Sequence, residues 1–298
     1  MLSSNAGHAP VTVIGLGLMG QALAGAFLKD GHPTTVWNRS PEKAGHLTTQ
    51  GATLAGSIGD AVAAGPLVLV CVSDYEAVHE LLDPLGDVLA DRVVVNLTSG
   101  TSQQARDRAE WAARRGFTYL DGAILAIPQA IGTADAVLLY SGPRSAFDLH
   151  EPTLRSLGAG TAYLGADHGL ASLYDVAMLG FMWSVLNGFL HGVALLGTAQ
   201  VDAATVAPFL NQGIGVMTGW MSAYADQIDA GEYPAADSTI DTHLAAMEHL
   251  IQESESLGVS TELPRFVKTL ADRAVAGGQG GDGYAAMIEQ FRKPAVTG

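Results

Sequence analysis

Two groups of residues stand out for the chemistry that their types and spacing allow. The first is Gly15-Leu16-Gly17-Leu18-Met19-Gly20, a GxGxxG spacing directly after the β-branched run at residues 11–15. Glycines at these places permit a tight turn, let the main chain approach a pyrophosphate and allow close helix packing. The start of the following helix adds unpaired N–H groups and a positive dipole end. Such a motif is weak by itself, but here a strand precedes it and the apolar helical pattern QALAGAFLKDG follows. The second group is a single carboxylate, Asp175, inside the almost continuous apolar run 169–199. Burying an unpaired ionised carboxylate is costly, so such a group is paired, protonated or used.

The second strand, Thr34–Trp37, ends in Asn38-Arg39-Ser40. An NAD enzyme usually carries an Asp or Glu here to hold the ribose 2′-hydroxyl, and this chain has none. Arg39 can instead pair with a 2′-phosphate and stack near the adenine, with Asn38, Ser40 and Lys43 adding hydrogen bonds. NADPH is therefore the expected cofactor; the bland alternative is that Arg39 is a surface charge. Strand 67–72 runs into Ser73-Asp74, and strand Val93–Asn96 runs into Leu97-Thr98-Ser99-Gly100. Polar loops at the carboxyl ends of parallel strands are where such sheets bind ligands. Val72, Ser73, Asn96, Thr98 and Ser99 are thus expected to line the nicotinamide and substrate region, unless Asn96 only closes a turn.

These residues need a scaffold, and the flanking patterns describe one. Thr101 reads as the N-cap of a helix through Arg115, 119–122 ends the next strand, and 136–141 and 146–156 complete the αβ alternation. The expectation is an α/β Rossmann domain, a doubly wound parallel sheet over about residues 9–165 within a first domain of 1–165. A long interdomain helix, about 169–199, opens a second domain of 166–298. There 203–229, 238–257, 261–276 and 283–292 carry apolar residues at helical spacing, which predicts an all-α domain. The 169–199 run is long enough to cross a bilayer, but Asp175, Asn187, His191 and several glycines interrupt it, and no basic residue flanks it. It reads as a buried helix of a soluble protein. One chain exposing so much hydrocarbon predicts a homodimer that covers it, with clefts shared between the subunits.

Composition narrows the partners. A formal charge of −15 argues against binding nucleic acid or anionic membranes through general electrostatics. From Ser156 through Pro264 there is no Lys or Arg, so a cationic or amine-like substrate fits a site in this region better than a hydroxy acid. The lone cysteine, Cys71, lies in an apolar strand run and reads as a buried, inert thiol in a reducing compartment, which predicts a cytoplasmic protein. The N-terminal MLSSNAGHAP lacks the features of a signal peptide and reads as a short loose leader. His191, His243 and His249 do not make a metal-ligand set, and no metal is expected. Met178, Met182, Met217 and Met221 form i,i+4 pairs suited to core or pocket walls.

Together, GLGLMG, VWNRS, VVNLTSG, DGAILAIP, GLASLYDVAMLG and NGFLHG resemble the imine reductases, close to the reductive aminases, over nearly the whole chain. The related β-hydroxyacid dehydrogenases place a catalytic lysine near this point of the long helix, where this chain has Leu173, Tyr174 and Asp175. The resemblance implies an NADPH-dependent homodimer, each cleft lying between one subunit's Rossmann domain and the partner's helices. Such an enzyme reduces imines or iminium ions to amines, in some relatives after condensing a ketone with an amine. It implies that Asp175 contacts the amine or iminium and that Asn96 is a polar group near nicotinamide and substrate. Eight residues after Asp175, where these enzymes often carry a Tyr or Asp proposed as proton donor, this chain has Trp183. Eight residues are about 12 Å along a helix and some 80° round it, so both side chains can border one cleft. An indole N–H is no useful acid at neutral pH. Trp183 is expected to shape the pocket or hold an iminium by a cation–π contact of roughly 0.5–2 kcal/mol, with core filling as the alternative. The proton then comes from water, Asp175, Tyr174, Tyr224 or His243. Two other readings remain: a β-hydroxyacid dehydrogenase-like oxidoreductase, which the missing lysine disfavours, and a non-catalytic NADP-binding sensor, which binds NADPH without oxidising it.

Overall fold

The computed structural model describes residues 8–292; the first seven positions of the segment read as a leader, and positions 293–298, lie outside the described residues. Eight strands form one sheet: β1 (Val11–Ile14), β2 (Thr34–Trp37), β3 (Thr53–Leu54), β4 (Leu67–Val70), β5 (Val93–Asn96), β6 (Thr118–Ile124), β7 (Val137–Ser141) and β8 (Gly160–Gly165). Their spatial order is β3-β2-β1-β4-β5-β6-β7-β8. The chain therefore leaves β1 towards β2 on one side and returns to β4 on the other. The crevice at the carboxyl ends of β1 and β4 is the switch point at which such sheets bind ligands.

Helices α1 (Leu18–Lys29), α2 (Gly45–Thr49), α3 (Ile58–Ala63), α4 (Tyr75–Leu82), α5 (Ser102–Arg115) and α6 (Arg144–Leu154) connect the strands. They cover both faces of the sheet, so every residue of β1 and β4 is buried; β4 is wholly apolar, and in β1 the Thr12 hydroxyl is satisfied by donating to the Ala61 carbonyl. Alternation still sorts the side chains. Val13, Leu69 and Val95 join Leu23, Phe27 and Phe147 in one layer. Ile14, Val70 and Val94 join Val78, Trp111 and Phe117 in the other. Helix α5 begins where Thr101 predicts, because its hydroxyl accepts from the Gln104 N–H while the Gln104 side chain accepts from the Thr101 N–H. It stops at Gly116, whose φ of +77° suits glycine.

The sheet departs from the expected all-parallel arrangement at one pair: β6 and β7 run antiparallel, with Asp121 opposite Ser141. A parallel crossover needs a helix or comparable length of chain. The connection between β6 and β7, residues 125–136, holds a single turn of 3-10 helix, Pro128–Ala130, in place of a crossover helix, and β7 runs back. The predicted strand 67–72 stops at Val70. Strand β3 is two exposed residues and β8 is an edge strand bounded by glycines; neither has a pattern that reads as a strand.

Helices α7 (Gly169–Gly197), α8 (Ala203–Ala230), α9 (Ile240–Ser256), α10 (Glu262–Ala276) and α11 (Ile288–Arg292) follow. The predicted helix 283–292 divides into a 3-10 turn, Tyr284–Met287, and α11. The chain forms two compact units that divide after Gly180, and α7 is continuous through that point. In the second unit Ile240, Leu270, Ala271, Ala274, Ala286 and Met287 make a small core. Helix α8 buries only Val206. The expectation of a buried α7 holds only for its start, where Gly169, Ala171, Ser172 and Asp175 are buried. From Leu173 on, large apolar side chains such as Tyr174, Phe181, Leu186 and Leu190 are exposed in the single chain, and α7 is long and apolar enough to cross a membrane by length and composition.

Candidate active site

At the β1–α1 turn, two of the three motif glycines are dictated by space. Gly15 has φ +94°, and a Cβ there would stand 2.1 Å from the Cys71 carbonyl oxygen. A Cβ on Gly20 would stand 1.9 Å from the Gly15 carbonyl oxygen. Gly17 differs, because a Cβ there meets nothing and the residue caps α1 without a side-chain hydrogen bond. Open space therefore faces the first-turn N–H groups of α1, which have no intrahelical partner. That is the geometry of an anion cradle.

The cradle opens into a cavity of about 540 Å³ lined by Gly15, Leu16, Gly17, Leu18, Met19, Gly20, Asn38, Arg39, Ser40, Lys43, Val72 and Ser73, all candidates from the sequence. Trp37, Ala77 and Leu81 line it as well, without having been singled out, and so does Cys71, which was expected to be buried in a strand and is instead half-buried just past the end of β4. Arg39 and Lys43 are exposed and make no salt bridge with another described residue, so both charges are available to a phosphate. Asn38 serves the turn itself: its Oδ1 accepts from the Leu16 N–H at 2.9 Å and its Nδ2 donates to the Ser40 carbonyl at 3.0 Å. Burial pushes the Cys71 thiol up to about 11, which keeps it protonated and unreactive.

A second cluster lies at the carboxyl ends of β4 and β5 and the middle of β6, where register sets Val70, Asn96 and Asp121 level; β6 runs on to Ile124, past the strand end expected at 119–122. The Val72 N–H donates to Thr98 Oγ1 at 3.1 Å, the Thr98 N–H donates to Asn96 Oδ1 at 3.1 Å, and Asn96 Nδ2 donates to Asp121 Oδ1 at 3.4 Å. Asn96 is fully buried, so its amide points into the protein and away from the glycine-turn cavity, whose lining holds neither Asn96, Thr98 nor Ser99. Sequence reasoning missed Asp121, although it stands in the predicted strand end 119–122. It is 0% exposed and also accepts from the Tyr75, Tyr119 and Ser172 hydroxyls. Burial raises its carboxyl to about 6, against the downward pull of those donors.

The start of α7 is gripped from several elements. The Arg106 guanidinium forks onto Asp167 at 2.9 and 2.8 Å and holds that carboxyl down at about 2. Asp167 Oδ1 in turn accepts from the Gly169 N–H at 3.0 Å. Ser141 Oγ donates to the His168 carbonyl and accepts from the Ala171 N–H. Two turns into the helix, Asp175 is 6% exposed. Burial raises its carboxyl above the usual range, and a hydrogen bond from the Ser99 side chain lowers it. Among the described residues no Lys, Arg or His forms an ion pair with Asp175. The lone carboxylate is thus buried without a cation beside it among the described residues.

Trp183 belongs to the second unit and is 56% exposed, on the wall of a mostly apolar cavity of about 440 Å³ with Asn187, His191, Met247, Leu250 and Phe266. Asn187 Nδ2 donates to the Trp183 carbonyl at 2.8 Å, and His191 bonds the Ser260 carbonyl at 3.0 Å. His243 lies beside Ser238, with Nε2 2.8 Å from its hydroxyl. Among the described residues one group has metal-like spacing, His8, Asp30 and His32. Both ring nitrogens of His32 are already committed, to the Ala9 carbonyl at 2.8 Å and Ser156 Oγ at 3.1 Å, which makes this a structural cluster.

Comparison with known proteins covers both halves of the chain. Residues 10–165 match the family described as the NAD binding domain of 6-phosphogluconate dehydrogenase, and residues 167–293 match the NADPH-dependent reductive aminase-like C-terminal domain. The chain is 40% identical to an NADPH-dependent reductive aminase of Aspergillus oryzae, over 95% of this chain and 97% of that protein. A reductive aminase from Aspergillus terreus, solved in complex with NADPH4, cyclohexanone and allyl amine, is 41% identical with a TM-score of 0.89, covering 95% of this chain and 99% of that one. An imine reductase of Streptomyces aurantiacus is 35% identical with a TM-score of 0.90, covering 95% of this chain and 100% of that one.

Proposed function

We infer the chemistry from the premise that this chain belongs to the family of NADPH-dependent reductive aminases and imine reductases. It is an oxidoreductase that uses NADPH and small-molecule substrates, reducing imines or iminium ions to amines. The open cradle at Gly17 and the unpaired charges of Arg39 and Lys43 fit the pyrophosphate and 2′-phosphate of NADPH. When bound, NADPH supplies the hydride that the substrate carbon accepts.

The observation that carries the roles proposed here is Asp175: a buried carboxylate without a cationic partner among the described residues, in a stretch of chain without Lys or Arg from 156 to 264. Its charge favours the iminium over the neutral imine, and the iminium is the better hydride acceptor. At about 4 Å and an effective dielectric of about 20, two opposite charges attract by about 4 kcal/mol. A cation–π contact is worth roughly 0.5–2 kcal/mol, so a carboxylate is the stronger device for holding a cation. Burial raises the Asp175 carboxyl above the usual range, against a lowering contribution from Ser99. Burial moves the Tyr224 hydroxyl upward, further from use as an acid at neutral pH.

Condensation of a ketone with an amine at the same site follows from this reading, since Asp175 can orient the amine. A second copy of the chain is the partner that covers the exposed faces of α7 and α8, forming a homodimer with shared clefts. The lone cysteine, which can close no disulfide within the chain, suits a cytoplasmic setting. The test follows NADPH consumption with a small cyclic imine and then with a ketone plus an amine, using a hydroxy acid with NADP+ as control. Turnover with the imine is expected, and turnover with the hydroxy acid alone overturns the reading.

A further inference from the structure

Asp121 has no part in the chemistry above, yet its setting is unusual. The carboxylate is fully buried and accepts from four side chains on four elements: Tyr75 of α4 at 2.6 Å, Asn96 of β5 at 3.4 Å, Tyr119 of β6 at 3.2 Å and Ser172 of α7 at 2.7 Å. None of these donors is charged, and among the described residues no cation pairs with Asp121. A buried acid satisfied only by neutral donors is a poor source of stability, because desolvation offsets the bonds it gains. What such a group contributes is geometry. Three donors converge on Oδ1, which demands an atom that only accepts, and Ser172 is bound by Oδ2.

Two of the four donors lead to the candidate site. Asn96 gives its Nδ2 to Asp121 and thereby turns its Oδ1 to the Thr98 N–H, while Thr98 Oγ1 takes the N–H of Val72 on the cofactor cavity. Ser172 stands three residues before Asp175, on the same face of α7. The end of β5, with the loop that follows it, and the start of α7 are therefore joined through Asn96, Asp121 and Ser172. Tyr75 braces the ring, since its hydroxyl touches both Asp121 and Ser172, the latter at 3.0 Å.

We propose that Asp121 is a positioning residue: it spans the loop after β5 and the first turns of α7 and so fixes where the Asp175 carboxylate stands. The proposal rests on the reading that Asp175 contacts the substrate cation, and it adds a residue that never touches substrate or cofactor. An amide at 121 keeps the shape but loses the charge that strengthens all four bonds. A methyl group at 172 cuts the link to α7 and leaves the rest of the cluster in place.

The experiment uses the full-length protein with Asp121→Asn, Ser172→Ala and both together. Hydrogen exchange over residues 169–176 is expected to quicken by about tenfold or more in each single variant, with β1 and β2 unchanged. Turnover of a cyclic imine is expected to lose about tenfold or more in kcat, with KM for NADPH within about threefold of the starting protein. The double variant should lose little beyond either single one, because both cut one linkage. Unchanged exchange over 169–176, or a kcat within about twofold in both single variants, overturns the proposal. Should Asp121→Asn fail to fold, Ser172→Ala alone decides. Failure of the unaltered protein to reduce any imine overturns the functional reading instead, and the exchange measurement still tests the linkage.

Discussion

In its first two turns α7 buries Gly169, Ala171, Ser172 and Asp175 and is bonded by Ser99, Asp121, Ser141 and Asp167. From Val176 on, the same helix presents Met178, Phe181, Trp183, Leu186 and Leu190 with large exposed areas. Gly169 illustrates the crowding at the start, since a Cβ there would collide with the Arg106 guanidinium at 2.7 Å. Gly180 and Gly188, further along, face open space. The polar, crowded end suits a group that must stand in one place. The apolar length carries few polar side chains, Asn187 and His191 among them, and its exposed face is complementary to another apolar surface.

The contrast can be broken at four points. The largest effect is expected at Asp175: Asp175→Ala should lower kcat/KM for an imine by about a hundredfold to a thousandfold, measured by NADPH consumption, while NADPH still binds. An unchanged kcat/KM would remove Asp175 from the chemistry. At the other end, Leu190→Glu combined with Met217→Glu puts charge on the exposed faces of α7 and α8. Sedimentation should then report a monomer where the unaltered chain is a dimer. An unaltered chain that already sediments as a monomer at micromolar concentration contradicts the homodimer.

A third effect separates the buried carboxylate from the rest. Because burial raises Asp121 from 3.8 to about 6, the folded chain holds its proton more tightly than the unfolded chain does. Stability from this group is complete below pH 3.8 and is lost as pH rises through about 6. Relative to Asp121→Asn, the protein should lose on the order of 2–3 kcal/mol across that window, read from denaturant titrations at each pH. Taking the difference removes the opposite trend of Asp167, whose carboxyl lies at about 2. A difference that is flat from pH 4 to 7 means Asp121 is not perturbed. The smallest effect is expected at Trp183, where Trp183→Phe should keep kcat/KM within about tenfold; a loss above about a hundredfold in a folded protein would give the indole an essential part.

Much of the site was legible before the fold was known, for local reasons. Gly15 and Gly20 could be read from spacing because the conflict that excludes a side chain lies within one turn or at the adjacent strand. Arg39, in place of an acid at the end of β2, carries its meaning in its type and position. Asn96 could be placed at a strand end but not oriented, since its amide turns inward through contacts with residues 2 and 25 positions away. Asp121 sits in a short DG pair in the middle of β6, a pattern that marks no chemistry until Tyr75 and Ser172 arrive from 46 and 51 positions away.

The sequence by itself determined the glycine turn, the strands and helices around it, the cap at Thr101 and the presence of one acid in an apolar helix. These follow from neighbours in the chain, from backbone sterics, hydrophobic period and short-range hydrogen bonds. Tertiary structure alone decided that β7 runs back against β6, that Asn96 faces Asp121, and that Ser99 reaches Asp175. Those contacts depend on the length of a connection and on register between strands, and side-chain partners are settled only when separate elements come to rest at the same level of the sheet.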